Sequence, residues 1–217
     1  VAVARHVNFI SLQKACAKPG CPICGLAAER TARYLDNLLF EHVSDRGFRA
    51  AHRTAGGFCG EHSRDLASFR DGLAVAILGR DILEDRIAGF KKKKPWKPKT
   101  RCPICLERER MEAEFLTFLA GVGDGACAEG SDEAELRAAF EASDGLCAPH
   151  YQTLLALVRK VPSWLKDFHE RRFEELLRRT SSFIDLSAYG RQAEFAALSE
   201  ADKLVWKELA ETLRGRG

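Results

Sequence analysis

Six cysteines and two histidines fall into four short motifs. Cys21-Pro22-Ile23-Cys24 is followed by Cys59-Gly60-Glu61-His62, and Cys102-Pro103-Ile104-Cys105 by Cys147-Ala148-Pro149-His150. Three thiolates and one imidazole are a complete tetrahedral donor set for zinc. The motifs therefore predict two zinc ions per chain. Cys21, Cys24, Cys59 and His62 are expected to hold the first, and Cys102, Cys105, Cys147 and His150 the second. The alternative is a crossed pairing, with Cys21 and Cys24 joined to Cys147 and His150. Pairing within each copy is the expectation, because a single-copy ancestor would need a whole site.

Four protein ligands leave no position for a reactive water, so the expected zinc is structural and no catalytic residue is assigned. The sequence holds no nucleophile elbow, P-loop or dinucleotide fingerprint. Haem attachment is excluded because Gly25 and Leu106 stand where its histidine would follow. Cys16 and Cys127 lie outside the motifs and read as a buried thiol and a free thiol. Cys16 is the alternative to His62 as a ligand. His6, His42 and His169 have no ligand-spaced partners and read as surface or packing residues, while His52 aligns with Phe140, a core position. The acids Glu107, Glu109, Glu112 and Glu114 read as a solvated helix face.

The motif pairs sit in a wider internal repeat. Shifted by 88 positions, Gly57-Phe58-Cys59 matches Gly145-Leu146-Cys147, and Leu66, Phe69, Leu73 and Ile77 match Leu154, Leu157, Val161 and Leu165. The expected divisions are a first zinc-binding repeat over 1–90, a basic linker over 91–101, a second repeat over 102–186 and a C-terminal helical segment over 187–217. Alternating apolar strands are nearly absent, so the class is all-α, a duplicated helical unit. Ser11, Ser44 or Asp45, Ser131 or Asp132, Ser163 and Ser199 are candidate helix caps. Gly56-Gly57 and Pro162 are candidate stops. One helix is expected from the first closing motif to Phe90, with a break at Gly79 and a stripe of Leu66, Phe69, Leu73, Ile77, Leu83 and Ile87.

The formal charge of +3 hides a local excess. Seven bases and no acid lie in 91–101. Nucleic-acid binding through Lys91, Lys92, Lys93, Lys94, Trp96, Lys97 and Lys99 is therefore one reading, a solvated linker the other. No stretch is apolar for the ~20 residues a membrane span needs, so no membrane role is expected. Val1 to Ile10 shows no signal-peptide pattern, and six of the eight cysteines, grouped with histidines, fit a reducing cytoplasm.

With both motif pairs placed, the chain resembles an uncharacterised prokaryotic family of helical proteins with paired CPxC…CxxH motifs. The resemblance covers most of the chain, including the stretch before Cys21 and the closing Val205-Trp206-Lys207 and Gly215. It implies metal ligation by the same eight residues and no activity. The expected role is a cytoplasmic, zinc-stabilised protein that binds a protein partner. A thiol-based redox response and nucleic-acid binding are the alternatives.

Overall fold

A computed structural model describes residues 7–69, 71–94, 97–124 and 130–215. His6, Trp96 and Cys127 lie outside the described residues. Among the described residues there are helices and no strands, so the chain is all-α.

Two compact units divide it. One combines Val1–Leu26 with Glu112–Gly217, and the other is the continuous stretch Ala27–Met111. The expected boundaries at 90 and 102 are not those of the packing. The basic run lies inside the continuous unit, where the Lys99 amide donates to the Thr54 carbonyl at 3.0 Å. Arg101 continues the tie, donating to Glu109 Oε2 at 2.8 Å.

The continuous unit holds α3 (Arg46–Ala55), α4 (Gly60–Ser68) and α5 (Gly72–Lys91). It also takes most of α2 (Pro22–Asn37), the π-turn Leu38–His42 that extends α2, and the first half of α6 (Pro103–Ala120). Its core gathers Leu35, Leu38, Leu39, Val43, Leu66, Leu78 and Ile104. Asp45 caps α3 by accepting from the Phe48 amide at 2.6 Å, and Gly56 ends it at φ 70°, where glycine carries no Cβ penalty. The expected single helix after Cys59 is two. Phe69 turns extended, and Asp71 starts α5 afresh by accepting from the Ala74 amide at 2.9 Å. Gly79 sits unbroken inside α5, because one glycine costs only about 1 kcal/mol in a helix. The predicted stripe packs at Leu66, Phe69 and Ile77 but not at its other three positions. Leu73, Leu83 and Ile87 are exposed, and the inward face of α5 is Ala74, Leu78 and Asp81. Asp81 is buried and takes two hydrogen bonds from Arg49, at 2.7 and 2.6 Å, which hold its carboxyl below the usual range.

The discontinuous unit holds α1 (Val7–Cys16), α7 (Asp132–Glu141), α8 (Ala148–Leu157), α9 (Ser163–Leu186), α10 (Gln192–Ala196), α11 (Glu200–Lys203) and α12 (Val205–Arg214). Phe115, Leu116, Leu119, Leu136, Phe140, Leu154 and Leu165 are essentially sealed from water. Ser131 and Ser199 cap α7 and α11 as expected, whereas α8 already ends at Leu157, before Pro162, and Pro162 rather than Ser163 is the N-cap of α9. α11 and α12 part at Leu204, and Val205 is the buried residue of α12.

Candidate metal centres

All four motifs share one local build. A cysteine stands just before a helix, and a second ligand is the third residue of that helix. Cys59 and Cys147 are the N-caps of α4 and α8, in extended backbone, and neither uses its side chain to cap. Cys21 and Cys102 precede Pro22 and Pro103, the first residues of α2 and α6. The same backbone bond closes each first turn, donated to the cysteine carbonyl. Its donors are Gly25 (3.1 Å), Ser63 (2.9 Å), Leu106 (3.1 Å) and Tyr151 (2.9 Å). Each pair of ligands thus sits at a helix N-terminus, where unpaired amides and the helix dipole favour thiolate over thiol.

The motifs meet crosswise. Cys21, Cys24, Cys147 and His150 form one cluster, and Cys59, His62, Cys102 and Cys105 the other. The expected pairing within each copy is therefore corrected. All eight expected ligands take part, but each opening motif joins the closing motif of the other copy. Each cluster falls within one unit, the first in the discontinuous unit and the second in the continuous one.

The geometry tests the donor set. A tetrahedral zinc with Zn–S of about 2.3 Å and Zn–N of about 2.0 Å sets sulfurs about 3.8 Å apart and sulfur–nitrogen pairs about 3.5 Å apart. In the first cluster Cys24 and Cys147 Sγ are 3.7 Å apart. His150 Nδ1 lies 3.4 Å from Cys21, 3.4 Å from Cys24 and 3.1 Å from Cys147. In the second, Cys59 and Cys105 Sγ are 3.7 Å apart. There His62 Nδ1 lies 3.2, 3.4 and 3.6 Å from Cys59, Cys105 and Cys102. These match the edges of a tetrahedron that could hold one ion, and are far longer than the ~2.0 Å of a disulfide.

Second contacts orient the imidazoles. Glu112 Oε1 is 3.5 Å from His150 Nε2, and both side chains are largely buried, at 15% and 8% exposure. Glu112 is thus not part of a solvated face. A carboxylate on the outer nitrogen fixes the tautomer that presents Nδ1 to a metal. Burial alone would favour a neutral ring. The sulfurs of Cys21 and Cys24, with Glu112, outweigh it and push His150 up to about 11. Positive charge is demanded at this point, and a divalent ion meets the same demand. His62 is shifted the other way, held neutral mainly by burial. Glu61 and Asp65 gather beside it, sharing His62 with the second cluster.

The turn into Cys147 is braced from α9. Gly145 adopts φ 70°, and a Cβ there would lie 2.7 Å from Phe168 Cε1. The Leu146 amide donates to His169 Nε2 at 3.0 Å, and His169 Nδ1 donates to the Leu165 carbonyl at 2.8 Å. Across the cluster, the Gly20 amide donates to Asp144 Oδ2 at 2.6 Å, tying the approach to Cys21 to the loop before Cys147. Gly215 closes the far side, where an added Cβ would meet Cys147 Sγ at 3.2 Å and Cys24 Sγ at 3.5 Å. Gly57, at φ 98°, makes the matching turn before Cys59, beside the buried His52.

The clusters differ in access. In the first Cys24, Cys147 and His150 are buried and Cys21 half-buried, whereas in the second both Cys59 and Cys105 are half-buried. Burial opposes ionisation of Cys59, but hydrogen bonds from the His62 amide, Cys105 and Cys102 hold its thiol below its ordinary value. Cys16 belongs to neither cluster; burial pushes its thiol up to about 11. Sequence reasoning missed Glu112 and the bracing role of His169. Neither has a spacing signature, since both act across units of chain far apart in sequence.

Among the described residues no helix is long and apolar enough to cross a membrane. No protein-family model matches the chain, and no solved structure matches it. A similar curated protein is the "Uncharacterized 23.9 kDa protein in xynA 3'region" of Caldicellulosiruptor sp. (strain Rt8B.4). It is 32% identical over 97 residues, which cover 42% of this chain and 47% of that protein. The chain thus spans about half the length of the curated relative it matches.

Proposed function

We propose that this chain is a zinc-stabilised helical protein with two structural sites, which serves by presenting helical surfaces to a protein partner. The observation that carries this reading is the closed donor set. Three sulfurs and one Nδ1 stand at the edges of a tetrahedron in each cluster, with a carboxylate behind His150. Thiolate-rich tetrahedral sites suit zinc, and four protein ligands leave it without an open position for chemistry. The ion's contribution, on the order of 10 kcal/mol, is comparable to the whole stability of a domain. The resemblance to the paired-motif family rests on the same eight residues.

Paired substitutions test both metal and pairing. In Cys24→Ser with Cys147→Ser, both changes fall in one crossed site, so mass spectrometry under native conditions should count one zinc per chain. In Cys24→Ser with Cys59→Ser both sites are broken and the count should fall to zero. The reverse pattern would restore pairing within each copy. A wild-type chain that folds normally without metal would end the zinc reading.

A second reading, a thiol redox response, is favoured by the half-buried Cys59 and Cys105, whose sulfurs are 3.7 Å apart. A peroxide would take two electrons from their thiolates as the S–S bond forms. With two protons it leaves as water (for hydrogen peroxide, two molecules), and the ion is released. Zinc retained under mild peroxide speaks against this reading.

A further inference from the structure

We infer that the outer face of α5 is a dimerisation seam, which a second, antiparallel copy of this chain covers. The inference does not rest on metal binding. An α-helix with apolar residues on two opposite faces needs cover on both. One face of α5 is satisfied within its own unit by Ala74, Leu78 and Asp81. The opposite face carries Leu73, Ala76, Arg80, Leu83, Ile87 and Phe90, spaced 3-4-3-4-3, the a/d repeat of a coiled coil. At ~100° per residue these six lie on the far side of the helix from the inward three. Leu73, Leu83, Ile87 and Phe90 are 73%, 59%, 42% and 67% exposed.

Self-complementarity and charge choose the occupant. When one copy is reversed against the other, Leu73 meets Phe90, Ala76 meets Ile87 and Arg80 meets Leu83, so every layer is filled from both sides. This is the isologous contact that a two-fold axis requires. The same reversal brings Arg80 of one copy beside Glu84 of the other. Both are exposed, and they approach only to 3.8 Å within one chain. A parallel pairing would instead stack the lysines at 91–94 of both copies on each other. Gly72 and Gly79 border the seam with nothing within 4 Å of a built Cβ, leaving room for a close helix. The seam runs about 26 Å along the helix. It covers on the order of 400 Å² per copy, about half the usual value, so association is expected in the micromolar range.

Sedimentation velocity on the metal-loaded full chain, from about 1 to 300 µM, tests this. Wild type should shift from monomer to dimer across that range. Leu83→Glu with Ile87→Glu, both exposed positions, should raise the dissociation constant at least tenfold while leaving helix content by circular dichroism unchanged. Arg80→Glu and Glu84→Arg should each weaken the dimer, and their combination should restore it. A chain that stays monomeric throughout overturns the inference, as does a dimer indifferent to the Leu83/Ile87 pair. Failure of the combined charge exchange to restore association overturns the antiparallel arrangement.

Discussion

At the residue scale, the ligands are only half of each centre. His150 offers Nδ1 to three sulfurs because Glu112 sits on Nε2, 3.5 Å away. A carboxylate in that position typically tunes metal affinity by 10- to 100-fold. Glu112→Gln should therefore weaken one of the two sites by about tenfold or more, read by competition with a chromophoric chelator. Cobalt substitution should report altered absorption from that site alone. Equal loss at both sites, or none, would show that Glu112 is a bystander.

At the scale of elements, the turn before Cys147 depends on α9. His169 is buried and neutral, its Nε2 committed as acceptor and its Nδ1–H as donor. Desolvation is the main cause that pushes it down to about 4 from 6.5. The sign follows from where protons bind. Between pH 6.5 and about 4 the unfolded chain takes up a proton that the folded chain refuses. The contribution is full above pH 6.5 and is lost as pH falls towards 4, amounting to about 3 kcal/mol. Urea midpoints for wild type and His169→Gln should converge as pH drops through that window. Parallel curves would refute the assignment.

Much of this level was legible beforehand. Asp45, Ser131, Ser199 and Gly56 act as caps and stops because their chemistry is local. The restart at Asp71 was not legible, since a glycine inside the next helix gave the louder signal. The eight ligands were legible from residue type and spacing. Their partners were not, because four motifs of identical local build can pair either way. Which halves meet is decided by the paths of α2 and α6, a long-range property that spacing does not encode.

At the scale of the whole molecule, the two ties are nested in sequence. The second cluster closes the span from His62 to Cys102, while the first closes the much longer span from Cys24 to Cys147, which contains it. Loop closure costs roughly 1 kcal/mol more for the longer span, less once the inner tie has formed. Assembly is therefore expected to proceed from the inner cluster outward. Release should run in the same order as exposure, since two ligands of the second cluster, Cys59 and Cys105, are half-buried and only Cys21 of the first is. Chelation should show two phases of equal amplitude, and Cys59→Ser should abolish the fast one. A single phase would make the sites equivalent.

The crosswise union of motifs has a consequence for a single motif pair on its own. A gene carrying one CPxC…CxxH unit alone would encode half of each centre. Its product could complete a centre only by meeting a twin, two strangers trading cysteines across a shared axis. Fusion of the twins into one reading frame would then turn a concentration-dependent encounter into an inherited certainty.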